Sequence, residues 1–540
     1  MEALKAKLLQ KLETAAMDDK RFDSTLEAML PYIDVKGLRE LPLTLLGRHP
    51  DRMSKDIIDK IGADQDLFKI APKEVQRRIW LSNSNKFKED VIPIVMEYKN
   101  DPDVIRMAKE MSIDQPTKVI SQRRSHQSIK KLMDFVGGNL KLYNHIGTYL
   151  RSLFLSTNDT VYCTLRFDLL MSMHEANLGA ITKADPCHEL VWNLDACNRT
   201  LSMDERRVEN IRKFFDKIDR DDPVYGDIAM ILNDPFTSNM IASRLLELTN
   251  EVTNSGRAAQ TDSTLIWTAT MLNLGAHARK ILQTQKFRIP KVDAVVTEKF
   301  LGVLSNCILD DALNQLQKAD DSAELDSVAS ADGMIESLDD SEVARKLLCH
   351  YILDKLEHTD IHSLARTLPC IYQSLAKNSP YDYENPANSV LDSLHVTYQS
   401  FFHSFLGLLM RQLQITRFLT SAKWQQVIMN DLLLPAAEID SSVYEQVILF
   451  LSESFRLVAS SGKAGAIGNG FLHLGRWLET IYANRPVDRI SRKQNAEVRE
   501  IMTRIFTDAA HFSNGRYRLK VEDAPTALAY IQETDMDTSA

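Results

Sequence analysis

Apolar residues recur along this chain at the spacing of an α-helix. From Leu142 they follow at i+4, i+7 and i+8, and a second stripe begins at Leu165. This spacing places side chains on one helix face, because a turn takes about 3.6 residues. Polar breaks such as 156–159 separate the stripes, and no run of alternating strands is evident. The pattern predicts a chain of amphipathic helices. The two best-defined stripes are Leu142, Ile146, Tyr149, Leu150, Leu153 and Phe154, and Leu165, Leu169, Leu170 and Met173.

Composition agrees with an all-helical chain. Among 540 residues only 19 are Gly and 17 are Pro, which is too few for the many turns of a sheet protein. Many helices in a long chain predict a HEAT-like helical-repeat solenoid. Because the repeat period is not clean, a non-repetitive helical bundle remains the alternative. The expected buried core includes Leu142, Ile146, Leu153, Leu165, Leu169 and Trp192.

A segment rich in acidic residues and serine suggests how the chain is divided. Residues Asp320 to Glu342 contain no Lys or Arg, which predicts a solvated, disordered loop. We therefore expect an N-terminal helical-repeat part at 1–319, an acidic linker at 320–342 and a C-terminal helical-repeat part at 343–520. The last residues, 521–540, are acidic and small, and are expected to be frayed.

Net charge and cysteine usage limit the class of protein. The formal charge of −9 and the pI near 5.9 argue against a protein whose whole surface coats nucleic acid, but permit a local basic patch. The six cysteines are scattered without a CxxC pair, as expected in a reducing compartment. No apolar run approaches a membrane span, and Met1 to Lys20 lacks an apolar signal core.

The central region contains residues of metal-ligand type. His174, Cys187, His188 and Cys197 could supply zinc ligands, but their spacing differs from the short pairs of structural zinc sites. The favoured interpretation is that the cysteines pack as small apolar side chains and that Asp185 caps a helix. Neither GxSxG nor HExxH occurs. We expect no catalytic residues, no metal and no cofactor.

The strongest local chemical signal is the basic segment Thr117 to Lys131. It contains five Lys and Arg residues and no acid, within a chain of net negative charge. Such cations can neutralise the phosphates of RNA. The alternative is a charged helix face that contacts an acidic partner subunit. The candidate RNA-binding residues are Lys118, Arg123, Arg124, Lys130 and Lys131. A second basic region, beginning at Arg485, is diluted by acidic residues and is a weaker candidate.

Several segments together resemble a known family. They are Leu30-Pro31-Tyr32-Ile33-Asp34-Val35-Lys36-Gly37, Glu74-Val75-Gln76-Arg77-Arg78-Ile79-Trp80, the block from Val136 to Cys197, and Asp227-Ile228-Ala229-Met230-Ile231-Leu232 followed by Asp234-Pro235-Phe236. In this order they resemble the B subunit of negative elongation factor, the complex that holds RNA polymerase II near promoters. The similarity extends over roughly residues 22 to 480 and is most specific in the centre.

The resemblance implies a non-catalytic, nuclear scaffold that represses transcription. It would join the C/D-type subunit, and through it the A-type subunit, to the RNA-binding E-type subunit. Partners of the complex would be RNA polymerase II, the Spt4/Spt5-type elongation factor and nascent RNA, and no membrane. A different class of function is a helical-repeat module whose main role is direct, sequence-tolerant RNA binding. Charge separates the two, since a dedicated RNA binder should be basic over a continuous face.

Overall fold

The computed structural model describes residues 19–111, 114–218, 223–257, 262–284, 300–308, 331–377 and 393–460, with single positions at 296, 477, 480, 481 and 484. Across these residues the secondary structure is helical and contains no strand. The prediction of an all-α chain is therefore confirmed. The predicted acidic tail at 521–540 and the second basic region from Arg485 lie outside the described residues.

Up to Thr200 the described residues form thirteen α-helices and two short 3-10 helices at Leu30–Asp34 and Pro50–Arg52. The α-helices are α1 (Asp19–Met29), α2 (Glu40–Arg48), α3 (Lys55–Ala63), α4 (Gln65–Ile70), α5 (Lys73–Ser82), α6 (Ser84–Lys99), α7 (Pro102–Lys109), α8 (Pro116–Arg124), α9 (Gln127–Val136), α10 (Leu140–Thr157), α11 (Val161–Glu175), α12 (Gly179–Thr182) and α13 (His188–Thr200).

The described helices continue from Glu205 onward, where a π-helix at Gln426–Leu433 interrupts the series. The α-helices here are α14 (Glu205–Asp216), α15 (Val224–Leu232), α16 (Pro235–Asn254), α17 (Ser263–Ala276), α18 (Ala278–Thr284), α19 (Ala331–Asp340), α20 (Glu342–Glu357), α21 (Ile361–Lys377), α22 (Ser393–Leu409), α23 (Gln412–Thr420), α24 (Ala422–Gln425), α25 (Leu434–Ile439) and α26 (Ser441–Ser460).

Helix α10 shows how local sequence sets an element. The Asn139 side chain accepts a hydrogen bond from the Leu142 N–H at 3.1 Å, which satisfies a donor that the first turn leaves open. The helix ends at Asn158, whose φ of +54° lies in the left-handed region that Asn tolerates. Between these caps the predicted apolar stripe is buried at Leu142, Ile146, Leu150 and Phe154, while Tyr149 and Leu153 are half-buried.

The chain divides into two compact units. The N-terminal unit comprises Met1–Ile105 with Thr117–Ala196, and the C-terminal unit comprises Arg106–Pro116 with Cys197–Ala540. In the N-terminal unit, α11 packs against α9 and α10. In the C-terminal unit, α20 packs against α16, α17, α21 and α22. Each unit thus has a well-buried helix surrounded by others, and among the described helices none is long and apolar enough to cross a membrane.

The predicted core is correct at four of its six positions. Leu142, Ile146, Leu165 and Leu169 are buried, and Leu153 is half-buried. Trp192 was a wrong prediction, because 47% of its surface is exposed. Trp192 lies outside the buried face of α13. The residues of that face are Leu190, Val191, Leu194 and Cys197.

The acidic segment is not a disordered loop where the structure describes it. Residues Ala331–Asp340 form α19, and Met334 and Leu338 on this helix are buried. Ser341 then caps α20, accepting a hydrogen bond from the Ala344 N–H at 3.3 Å. Acidic residues suggested a solvated segment, but apolar residues at i and i+4 supply a face that packs. Residues 320–330 lie outside the described part. The main boundary between the two compact units falls near residue 196.

Candidate functional site

The basic segment folds into α8 and α9 of the N-terminal unit. Lys118, Lys130 and Lys131 are exposed. Arg123 and Arg124 lie in the last turn of α8 and are buried, with only 2% and 7% of their surfaces exposed. The structure therefore divides the five candidate RNA-binding residues, and it corrects the assignment of the two arginines. Their guanidinium groups face the protein interior and are not presented to phosphates.

The two arginines meet a buried carboxylate on α11. Arg123 binds Asp168 with two hydrogen bonds, from Nε to Oδ2 at 2.8 Å and from Nη2 to Oδ1 at 3.0 Å. This fork matches the planar geometry in which Arg binds a carboxylate most strongly. The Asp168 side chain is completely buried and also accepts a hydrogen bond from the Tyr98 hydroxyl at 3.3 Å. Arg124 Nε lies 3.4 Å from the same carboxylate.

Arg124 extends this network to α13. Its Nη1 donates to Glu175 at 2.7 Å, and its Nη2 donates to the buried carboxylate of Asp195. Burial by itself would lower the pKa of the Arg124 guanidinium, but Asp168, Asp195 and Glu175 together raise it above its ordinary value. The guanidinium therefore stays charged in the interior, and it links the last turn of α8 to α11 and α13.

A second buried ion pair lies on the same helix, α11. Arg166 Nη2 donates to Asp185 Oδ2 at 2.6 Å, and the Tyr143 hydroxyl donates to the same oxygen at 2.5 Å. Asp185 Oδ1 accepts the Cys187 N–H at 2.8 Å in the turn before α13, which begins at His188, so Asp185 does not lie at the predicted N-cap position. Burial would raise the pKa of Asp185, but Arg166, Tyr143 and the Cys187 N–H hold it below its usual value. The carboxylate thus links α10, α11 and the turn before α13.

Sequence reasoning missed the carboxylates Asp168 and Asp195. The signal was present, since Arg166 and Asp168 interrupt an apolar run between Val161 and Met173. A helix in which charged residues lie within a run of apolar ones is often buried on all sides, and its charges then need partners. In this helix every residue from Val161 to Met173 is buried. The guanidinium groups of Arg123, Arg124 and Arg166 are thus occupied by protein carboxylates.

The residues of metal-ligand type do not come together as a set. His188 Nε2 lies 3.0 Å from His174 Nδ1, so the two rings form a pair at the end of α11 and the start of α13. Burial, and next the neighbouring His174, lower the pKa of His188. Cys163, Cys187 and Cys197 are all buried. Within the described residues, no group of three side chains is placed to hold a metal ion.

The family of the chain follows from its similarity to known proteins. A family model described as Cofactor of BRCA1 (COBRA1) matches residues 36–373, which is more than half of the chain. The chain belongs to this family. The matched range contains the helices that carry both buried ion pairs, together with the paired histidines.

Curated relatives identify the family further. The chain is similar to Negative elongation factor B of Drosophila melanogaster, with 29% identity over 427 residues, which cover 76% of this chain and 68% of the relative. It is similar to Negative elongation factor B of Mus musculus, at 28% identity over 388 residues covering 69% of this chain and 66% of the relative. The predicted resemblance is confirmed, and the chain spans about two thirds of the length of these relatives.

Proposed function

We propose that this chain is a non-catalytic scaffold subunit of a negative elongation factor complex. The observation that carries the proposal is the family match across residues 36–373, together with relatives named Negative elongation factor B. In this role the chain joins the C/D-type subunit, and through it the A-type subunit, to the E-type subunit. The assembled complex acts in the nucleus with the Spt4/Spt5-type factor to support promoter-proximal pausing of RNA polymerase II. A HEAT-like solenoid remains the expected arrangement of the helices.

Exposed apolar residues in both units support a scaffold with separate binding surfaces. Trp192 on α13 belongs to the N-terminal unit, and exposed Trp side chains often anchor protein interfaces. Leu449 and Leu457 on α26 belong to the C-terminal unit and are both exposed. They are eight residues apart, so they lie on one face of the helix about two turns from each other. We infer that the two surfaces bind different subunits.

We expect a Trp192→Glu variant and a Leu449→Glu/Leu457→Glu variant each to lose one partner subunit and to keep the other. A charge placed at the centre of an apolar interface is desolvated without a partner, which weakens binding at that surface alone. The measurement is co-expression of the full chain with C/D-type and E-type subunits, followed by affinity capture and quantification of each subunit. Glu189→Gln and Glu453→Gln, on the same two helices, serve as controls. Loss of the same subunit in both variants would contradict the bridging model.

A direct RNA contact is the second candidate function, and it now depends on fewer residues. Lys118 on α8 and Lys130 and Lys131 on α9 are exposed, although Lys131 Nζ is 2.7 Å from Glu97 Oε2. With Arg123 and Arg124 buried, only three of the five candidate residues are exposed. We therefore propose at most a weak, sequence-tolerant contact beside the scaffold role.

Replacing Lys118, Lys130 and Lys131 with Ser should reduce the salt dependence of RNA binding while subunit assembly persists. If all three engage phosphates, the slope of log affinity against log salt should change by about 2, since each single-strand phosphate contributes about 0.7. The measurement is polarisation of labelled single-stranded RNA with the full chain over a salt series. If assembly is lost instead, the lysines contact an acidic subunit. An unchanged slope would remove the RNA contact altogether.

A further inference from the structure

Two histidines of the N-terminal unit face each other from the ends of two helices. His174 lies in the last turn of α11, and His188 is the first residue of α13. Their facing nitrogens, His174 Nδ1 and His188 Nε2, lie 3.0 Å apart. We propose that these two residues, which we call the histidine pair, bind one divalent zinc-type metal ion, with water in the remaining coordination positions. The proposal goes beyond the scaffold role, and it can be tested on the purified chain alone.

The separation of the two nitrogens is close to that of neighbouring ligands on one metal ion. Zinc binds imidazole nitrogen at about 2.0–2.1 Å, so two nitrogens of a tetrahedral site lie about 3.3–3.4 Å apart. From the observed 3.0 Å, the nitrogens need to separate by only about 0.3–0.4 Å. The ring centroids are 5.0 Å apart and the ring planes are tilted by 39°. The rings therefore meet through their nitrogens and are not stacked.

Both rings of the histidine pair can serve as neutral ligands. Burial, and next the neighbouring His174, hold the pKa of His188 below its ordinary value, which favours the uncharged imidazole that metals bind. In the neutral pair one ring donates the proton between the facing nitrogens, and the other ring accepts it. When an ion enters, this proton moves to the outer nitrogen of the donating ring, and both facing lone pairs bind the ion. The neutral pair therefore binds the metal without net release of a proton.

The helix ends that carry the histidine pair are held in place by other contacts. Glu175, next to His174, accepts a hydrogen bond from Arg124 Nη1 at 2.7 Å. At the other helix, the His188 N–H donates to the Asp185 carbonyl at 3.2 Å, and the side chain of Asp185 belongs to the second buried ion pair. The two backbones are thus positioned before any ion arrives, and ligands that are already positioned lose less entropy on binding.

The histidine pair is an open site, unlike a closed structural zinc site with four protein ligands. Cys187 and Cys197 are buried, and among the described residues no group of three side chains is placed to hold a metal ion. Both imidazoles of the pair are half-buried, so solvent reaches them. Because water fills the positions that the protein leaves open, we expect reversible binding and not the permanent retention typical of closed sites.

The test uses the purified full chain, freed of metal with a chelator, and Zn²⁺ alone as the ligand. His188→Gln removes one ligand while the Gln amide still offers a hydrogen bond near the position of Nε2, and His174→Asn does the same near Nδ1. His145→Gln is the matched control, since His145 is an exposed histidine on α10 of the same unit. Competition with a chromophoric zinc indicator measures affinity and stoichiometry. Circular dichroism checks that each variant is folded.

We expect 1:1 zinc binding by the parent chain and by His145→Gln, and binding at least about tenfold weaker in His188→Gln and in His174→Asn. Zinc should also slow amide exchange at the end of α11 and the start of α13, in the parent and the control only. Unchanged affinity in both pair variants, or equal weakening in the control, would overturn the proposal.

Two further outcomes would also overturn it. The first is the absence of zinc binding by the parent chain up to about 100 µM Zn²⁺. The second is an intense thiolate-to-metal absorption band when Co²⁺ replaces zinc, because this band would assign the ion to a cysteine and not to the histidine pair.

Discussion

Replacing Asp168 with Ala should destabilise the N-terminal unit by about 3–5 kcal/mol, because it removes the buried counter-ion of two arginines. Arg123 loses both of its hydrogen bonds to this carboxylate, and Arg124 loses one of its three carboxylate partners. Both guanidinium groups remain in an interior where an uncompensated charge is costly. Native-state hydrogen exchange of amides in α11 measures this loss as a free energy of opening.

Asp134→Ala is the matched control for this prediction. Asp134 also pairs with a basic residue, with Lys73 Nζ at 2.7 Å, but 62% of the Asp134 side chain is exposed. Water replaces the lost partner there, so we expect a change below about 1 kcal/mol. If the two variants have equal effects, the Asp168 network contributes no more than a surface ion pair. A loss near the expected value would establish that the arginines depend on Asp168.

Replacing Gly137 with Ala should destabilise the same unit by about 3 kcal/mol, through backbone strain and loss of a helix cap. Gly137 ends α9 with φ at +50°, and an added Cβ would lie 1.8 Å from Arg77 Nη2. Arg77 donates from Nη2 to the Asp134 carbonyl at 2.9 Å and from Nε to the Phe135 carbonyl at 3.3 Å. Moving this guanidinium leaves carbonyls of the last turn unsatisfied. Urea unfolding followed by α9 amide exchange measures the effect.

Substitutions at two other glycines distinguish backbone strain from the contact with Arg77 as the cause of this loss. Gly138 has φ at +84° but open space around an added Cβ, so Gly138→Ala should show the backbone strain alone, about 1–2 kcal/mol. Gly147 lies within α10 with no atom near an added Cβ, and Gly147→Ala should stabilise the helix by up to about 1 kcal/mol. If Gly137→Ala costs no more than Gly138→Ala, the contact with Arg77 is dispensable.

Helical spacing predicted the secondary structure well, because local burial and capping follow from nearby residues. In α10, most of the apolar stripe was recognised from the chain, whereas the caps at Asn139 and Asn158 became evident only in the structure. The same reasoning failed for Trp192, since hydrophobicity alone does not say which helix face meets the interior. It also failed at 331–342, where the acidic composition predicted a disordered loop, although Met334 and Leu338 are buried on a helix.

The candidate site was predicted only in part. The basic segment was recognised from its charge, and a contact with an acidic protein partner remained an alternative to RNA binding. A basic segment alone does not reveal where its carboxylate partners lie. Arg124 is 44 residues from Asp168 and 71 from Asp195 along the chain. Such distant pairs are formed only when helices pack. The three lysines are exposed, as a binding surface requires, and RNA as their ligand stays a prediction.

The sequence by itself determined the helical class and the family, because these depend on local spacing and on motifs that persist in linear order. Only the tertiary structure decided which charged side chains are buried in ion pairs and which are exposed. It placed Arg123 and Arg124 inside against Asp168 and Asp195, and it brought His174 and His188 within hydrogen-bonding distance. The physical reason is that desolvation and Coulomb attraction depend on distances in space, which helix packing sets and local sequence does not.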